Sequence, residues 1–288
     1  MPRKTSPSDG FYDNTRHVTP RDKELLKLLA EHLVLSTSQI ASLFYPSRRR
    51  AQARLRVLHQ ATVLSRHTWA TDVGGVTDYL YSLGPLGVRI MPEAATDLDS
   101  VRRPLPRNHR DRMGRLVGSN KLDHTLGVNQ FFVDLTVAAR RAPGRQLHRW
   151  WSERHATAAY DRFGIHPDGH GVWQEAGRTV GFFLEHDNGT ENHARVLSKF
   201  HAYTELAANG GPIYPVLLWV PSASRRDNLL ERIGTIDIPV AAAVQGPDPS
   251  ARIWHLAGYG GPYHLHELPS DHGPDSPVNP GRFRDTTA

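Results

Sequence analysis

The sequence predicts a mixed α/β protein with two domains, and three observations lead to this fold class. The chain has 288 residues, whereas single soluble domains commonly contain about 100 to 200. Helical hydrophobic patterns fill its N-terminal part, and strand-like and helical segments alternate afterwards. Residues 1–118 carry 19 basic and 11 acidic side chains, but residues 119–288 carry 16 and 18. A basic domain joined to a near-neutral one predicts that the first binds a polyanion.

The composition excludes several classes of protein. With 39% hydrophobic and 22% charged residues, the chain is an ordinary globular protein. It has no cysteine, which excludes disulfides, thiolate zinc sites and cysteine nucleophiles. The N-terminus lacks the apolar core of a signal peptide, and no apolar run approaches the ~18 residues of a membrane span. We therefore expect a cytoplasmic protein with no membrane partner.

The first predicted helix follows a polar segment, residues 1–17, which we expect to be a flexible arm. Thr19 has the character of an N-cap, Pro20 suits the first helical position, and Asp22 stands three residues after the cap. Leucines then recur at helical spacing, which indicates a helix with one buried face.

Two further helices are predicted before the first strands. One begins at Thr37 or Ser38 and runs to about Phe44, where Pro46 ends it. The next begins at Ser47, and the stretch from Ser47 to Trp69 holds six arginines and no acid. The candidate DNA-binding residues on this third helix are Arg48, Arg49, Arg50, Arg54 and Arg56.

A predicted hairpin follows these helices. Its strands cover residues 63–69 and 78–84, and Gly74-Gly75 supplies the turn. Three helices and a hairpin describe a winged helix-turn-helix domain over residues 18–91. In such a domain the basic helix lies in the major groove, where arginine pairs with guanine or contacts phosphates. The alternative is an exposed, solvated helix face.

The second domain is predicted over residues 119–260. Residues 92–118 have the composition of a linker, and residues 261–288 that of a disordered tail. Between them, the pattern predicts the order αβββαβαβ, in which the apolar strand at 214–220 is covered on both faces.

Acidic residues gather where the strands of this second domain end. Asp168 precedes one strand, and Glu185 and Asp187 project from the same face of the next. Lys199 lies on the following helix, one turn from buried positions. Carboxylates that converge in this way suit Mg²⁺ or Mn²⁺, which could activate water against a phosphodiester, and a nearby lysine would stabilise the developing charge.

These motifs resemble those of known families. Pro167-Asp168, FFLEHDNGTE and Lys199, preceded by a winged helix, resemble the replication-relaxation family of actinobacterial plasmids and integrative elements. The resemblance spans roughly residues 18–235. In element order, the C-terminal half is also similar to the PD-(D/E)xK nuclease superfamily, which implies a restriction-endonuclease-like α/β sheet.

The resemblance to the nuclease superfamily implies a role for each acid. Its first metal-binding acid falls on Asp168 and its second on Glu185, while its lysine falls on Asp187, which departs from the pattern. Some members take a lysine from the following helix, and this is the role implied for Lys199. Glu153 is implied as an auxiliary acid.

Simple structural roles are the alternative for the same residues. The acids would end a solvated strand and shape a turn, and the lysine would join a row of helix charges. In that interpretation Glu185 caps the strand as a solvated end, Asp187 forms an Asx turn with Asn188-Gly189, and Lys199 joins Glu191 and Arg195 in an i, i+4 row of charges.

Histidines offer two further hypotheses. His166 and His170 flank Asp168, and together with His186 they could form a zinc or manganese site, although chance proximity among 17 histidines is the alternative. His264-Leu265-His266 has the form of the histidine motif of nicking relaxases, but no tyrosine follows it. The sequence also lacks a G-x-x-x-x-G-K-[ST] loop, which argues against an ATPase.

Two functions remain open at this point. The first is a DNA-binding protein of a mobile element that acts as a Mg²⁺- or Mn²⁺-dependent endonuclease. The second is an inactive nuclease-fold factor that binds DNA in replication, mobilisation or transcriptional control. DNA is the expected partner in both, and a homodimer is one expected state because helix-turn-helix proteins often dimerise.

Overall fold

A computed structural model of the chain describes residues 18–69, 78–91, 121–189 and 193–272, without the side chains of Trp69 and of residues 193–198. The predicted arm, the tip of the predicted hairpin and the predicted linker lie outside these residues. The described part contains eight α-helices, a three-stranded sheet and a seven-stranded mixed sheet, which confirms the mixed α/β class. None of the described helices is long and apolar enough to cross a membrane.

The chain divides into two compact units, Met1–Asn129 and Gln130–Ala288. The division falls inside a helix and not at the predicted linker. The elements of unit 1 are α1 (Pro20–His32), β1 (Leu35–Ser36), α2 (Thr37–Phe44), α3 (Arg48–Gln60), β2 (Leu64–Trp69), β3 (Asp78–Leu83), α4 (Pro85–Ile90) and the first nine residues of α5 (Lys121–Arg141).

Capping boxes begin the first two helices of unit 1. Thr19 and Asp22 bond each other's backbone N–H groups at the start of α1, as the sequence predicts. Ser36 and Gln39 do the same for α2, so this helix begins at Thr37. Both boxes satisfy N–H groups that have no partner within the helix.

A three-stranded antiparallel sheet completes unit 1, in the order β1-β3-β2. The predicted hairpin is therefore present, and the short β1 adds a strand that the sequence pattern did not predict. The buried side of α3 consists of Ala51, Leu55 and Leu58. This arrangement leaves the opposite side of α3 exposed.

Unit 2 is built on the larger sheet. After the rest of α5, its elements are β4 (Gln146–Ser152), α6 (Glu153–Tyr160), β5 (Gly169–Glu175), β6 (Arg178–His186), α7 (His193–Ala208), β7 (Val216–Val220), α8 (Ala223–Ile233), β8 (Val240–Val244), β9 (Trp254–Leu256) and β10 (Gly260–Tyr263).

The larger sheet has the order β10-β9-β8-β7-β6-β5-β4. Strands β6, β7 and β8 are parallel, and the other pairs are antiparallel. On one face, Phe183 belongs to a core that includes Phe200 and Tyr203 of α7 and Leu229 of α8. On the other face, Phe131 of α5 packs against Phe182 and Trp219. Helices therefore cover both faces, and the carboxyl ends of the parallel strands lie at one edge.

Three segments of unit 2 differ from the sequence-based expectations. Strand β8 was not predicted, and Glu153 begins helix α6 instead of ending a strand. Residues 261–272, assigned to the disordered tail, include most of β10 and a 3-10 turn around the fully buried Leu265. The rest of that predicted tail, 273–288, lies outside the described residues.

Candidate functional site

Asp168 lies where strands β5 and β6 separate. The last registered pair of these strands is Gly169 with Leu184. Beyond it, Oδ2 of Asp168 accepts a hydrogen bond of 2.7 Å from the backbone N–H of His186. The side-chain carboxylate of Asp168 thus takes the place of the backbone acceptor that β5 would otherwise offer to β6. This opening places Asp168 beside the neighbouring position on β6, Glu185.

Glu185 is buried and bonded at both carboxylate oxygens. Its Oε2 accepts a hydrogen bond of 2.6 Å from Nζ of Lys199, and its Oε1 one of 2.7 Å from the hydroxyl of Tyr203. Both partners come from α7. The sequence-based alternative of a solvated strand end is therefore wrong for Glu185, which is only 5% exposed.

The surroundings of Glu185 oppose its negative charge. Burial and the nearby charge of Asp168 raise the pKa of Glu185 to about 7, although Lys199 and Tyr203 act in the opposite direction. Burial and the neighbouring Glu185 also raise the pKa of Tyr203 well above its usual value, so this hydroxyl stays a donor. Two acids therefore lie close together in the site, and the positive charge of Lys199 offsets their negative charges only in part.

Asp187 serves the turn after β6. Its Oδ1 accepts from the backbone N–H of Gly189 at 2.7 Å, the Asx turn that the structural alternative proposed. Its Oδ2 accepts from Nε of Arg225 on α8 at 2.6 Å, and both side chains are largely buried. Nε2 of Gln245 donates to the carbonyl of Asp187 at 3.1 Å. Both carboxylate oxygens of Asp187 are thus used to hold this turn.

The described residues do not form the predicted histidine site. His166 is exposed, whereas His170 is fully buried and its Nδ1 lies 2.7 Å from the carbonyl of Phe182. Burial and the adjacent Arg149 lower the pKa of His170 well below its usual value. Within the described ranges, no group of three or more histidines or acids is placed to hold a metal ion.

The remaining candidates from the sequence lie apart or at the edge of the site. Glu153 is exposed, and Ser152, which precedes it, pairs with Gly169, so Glu153 lies at the same end of the sheet as Asp168. In the relaxase-like motif, the rings of His264 and His266 stack 5.3 Å apart. Nδ1 of His266 lies 3.3 Å from a carboxylate oxygen of Glu175.

Asp168 and Glu185 nevertheless suit a magnesium ion. Mg²⁺ commonly binds through one or two protein carboxylates and completes its shell with water and substrate phosphates. The mutual repulsion of these two acids is the kind that a divalent cation relieves. The chemistry of the donors therefore fits Mg²⁺ or Mn²⁺, with Asp187 left to the turn.

The arginines of α3 fall into two groups. Arg54 bonds both carboxylate oxygens of Asp22, which is 1% exposed, and Arg48 pairs with Asp78 at 3.0 Å. Burial opposes ionisation of Asp22, but the bonds from Arg54 and Thr19 outweigh it and lower its pKa. The other three arginines of the predicted DNA-binding set are exposed: Arg49, Arg50 and Arg56.

The fold and these two groups of residues define a class. The protein is a mixed α/β protein that combines a small unit bearing an arginine-rich helix with a sheet unit bearing a buried acid–lysine cluster. It belongs to the replication-relaxation family, whose model matches residues 26–215. This range includes Asp168, Glu185 and Lys199 but ends before Arg225. Membership indicates a role in the replication or relaxation of mobile elements.

No curated protein and no solved structure matches the chain.

Proposed function

We propose that the protein binds DNA through unit 1, which acts as a winged helix-turn-helix. The support is the order of three helices and a paired hairpin, together with the exposed arginines of α3. Arg49, Arg50 and Arg56 would contact phosphates or guanine bases. Arg54 has a different role in this proposal, because its bonds to Asp22 join α3 to α1.

Two sets of substitutions test the DNA-binding role. Replacing Arg49, Arg50 and Arg56 with alanine should weaken DNA binding and lower the salt slope by about 3, since each lost phosphate contact removes about one unit. The melting temperature should remain that of the wild type. Arg54→Ala is the contrasting variant on the same helix. Because Arg54 holds α3 to α1, its loss should lower the stability of the fold by about 2 kcal/mol. Unchanged affinity and salt slope in the triple variant would contradict the proposal.

We further propose that unit 2 is a metal-dependent DNA endonuclease of the PD-(D/E)xK type. The observation that carries this proposal is the position of Asp168 at the opening between β5 and β6, where its charge acts on Glu185, together with the bond from Lys199 to Glu185. Asp168 and Glu185 would hold Mg²⁺ or Mn²⁺, which supplies an activated water and charge stabilisation when bound. Lys199 would stabilise charge on the phosphate in place of the motif's lysine.

A cleavage assay tests the endonuclease. Supercoiled and linear DNA are incubated with the protein and Mg²⁺ or Mn²⁺, alongside Asp168→Ala, Glu185→Ala and the exposed control Glu231→Ala. We expect nicking by the wild type and the control, and its loss in both site variants while DNA affinity is kept. Tight binding without nicking in either metal would favour the second function, a non-cleaving DNA-binding factor.

Within this proposal, the protein acts on the DNA of a mobile element, such as a plasmid, in its replication or mobilisation. The family supports the theme of replication and relaxation. The location in the cytoplasm and the homodimer stay predictions, which fractionation of cells and light scattering would check.

A further inference from the structure

Lys199 lies between Glu185 and the solvent. The Glu185 side chain is 6% exposed and the Lys199 side chain 31%. The second partner of the carboxylate, Tyr203, is 4% exposed and belongs to the core of the sheet face. An ion that comes from solvent therefore meets the carboxylate on the side of Oε2, where the ammonium group is bonded at 2.6 Å.

The other acid of the site, Asp168, leaves the side of Oε2 as the path by which an ion reaches Glu185. Oδ2 of Asp168 is held by the backbone N–H of His186 at 2.7 Å, so this carboxylate is fixed to the frame of β6. Oε1 of Glu185 is likewise fixed by Tyr203 at 2.7 Å. Of the bonds described at Glu185, the one to Lys199 is made by a long, partly exposed side chain that can swing away.

We propose that Lys199 is a latch, which occupies the position of the divalent cation at Glu185 and is displaced when that cation binds. The inference rests on the proposed metal site. The ammonium group and the metal ion compete for Oε2, because a divalent cation bound there would repel the positively charged Nζ, which already lies 2.6 Å from this oxygen.

Displacement gives Lys199 its second position. Once its ammonium leaves Glu185, Lys199 can pair with an anion at the mouth of the site, and a DNA phosphate supplies one. Metal binding thus releases the lysine that stabilises the phosphate. The two ligands should therefore bind with positive coupling, each raising the affinity of the other.

Metal affinity in the absence of DNA tests the latch without any need for activity. Lys199→Met keeps most of the length of the side chain but removes the competing charge, so its affinity for Mn²⁺, measured by titration calorimetry, should rise about tenfold or more. Lys199→Arg keeps a cation and should stay near the wild-type affinity. Tyr203→Phe removes the buried bond instead and should change the affinity by less than about threefold.

Glu185→Gln identifies the site, since it should abolish the titration. Mn²⁺ binding to the wild type with an equal affinity in Lys199→Met would overturn the latch and leave the metal site standing. If Mn²⁺ does not bind, or binds equally well after Glu185→Gln, both the metal site and the latch are overturned.

A measurement on the wild type covers the case in which Lys199→Met does not fold. The chain has five lysines, at positions 4, 23, 27, 121 and 199, so an amine-acylating reagent and mass spectrometry can follow each one. We expect Mn²⁺ to speed the acylation of Lys199 at least about threefold, because the displaced amine loses a bond to a charged partner. The other four lysines serve as internal controls. An unchanged or slower rate at Lys199 on saturation with Mn²⁺ would overturn the latch.

Discussion

At the scale of single residues, the surroundings of Glu185 in unit 2 act on its pKa in opposite directions. Its two hydrogen bonds favour the ionised form, yet burial and Asp168 outweigh them and raise its pKa to about 7 from an ordinary value of 4.5. The ionised form is therefore less stable in the folded state than in the unfolded chain. This imbalance predicts how stability changes with pH.

Between about pH 4.5 and 7, the unfolded chain has lost the proton of Glu185 while the folded protein keeps it. The free energy of unfolding should thus fall as pH rises through this window, by up to about 3 kcal/mol. Urea denaturation of Glu185→Gln should show a smaller fall than the wild type, and the exposed control Glu231→Gln should not differ. Equal pH profiles for wild type and Glu185→Gln would contradict this.

At the scale of elements, aromatic rings lie across glycines of the large sheet. Gly171 pairs with Phe182, and a Cβ at position 171 would lie 2.2 Å from the ring. The ring cannot retreat easily, because Phe131 and Phe132 pack against it from α5. Glycine is therefore required here by the close approach of a side chain and not by backbone conformation.

Gly171→Ala should destabilise the protein by about 1–3 kcal/mol, since it overpacks a closed core. Gly246→Ala is the matched control, because its nearest neighbouring atom would lie 3.8 Å from the new Cβ. We expect this control to stay within about 0.5 kcal/mol of the wild type. Thermal or urea denaturation measures both, and equal stabilities of the two variants would refute the packing argument.

The sequence predicts elements well where local signals are strong. The capping residues placed the start of α1, and an apolar run that ends in Glu185 placed β6, so the approach of Asp168, Glu185 and Lys199 could be anticipated. Strand β8 reads VAAAV, and alanine carries little strand preference, so its pattern is weak.

Contacts between distant elements had no local signal at all. Arg225 lies 38 residues after Asp187, and Arg54 lies 32 after Asp22. Only the fold brings these pairs together, which is why the sequence could not separate the arginine of α3 that holds α1 from those that are exposed.

At the scale of the whole molecule, the two units share one helix. The sequence predicts a boundary after residue 118, but the division falls after Asn129, within α5. The start of α5 completes unit 1: Leu122 and Leu126 pack with Val34 and Leu80. Nδ2 of Asn129 also donates to the carbonyl of Val34 at 2.8 Å.

Unit 1 should therefore need the start of α5 to be stable. A chain of residues 18–118 loses two buried leucines, each worth about 1.5–3 kcal/mol, whereas one of residues 18–129 keeps them. In urea denaturation, we expect the shorter chain to unfold at a lower concentration or to lack a cooperative transition. The longer chain with Leu126→Ala should lie between the two. If the shorter chain were as stable as the longer one, residues 119–129 would belong to unit 2 alone, and the boundary predicted from composition would be the physical one.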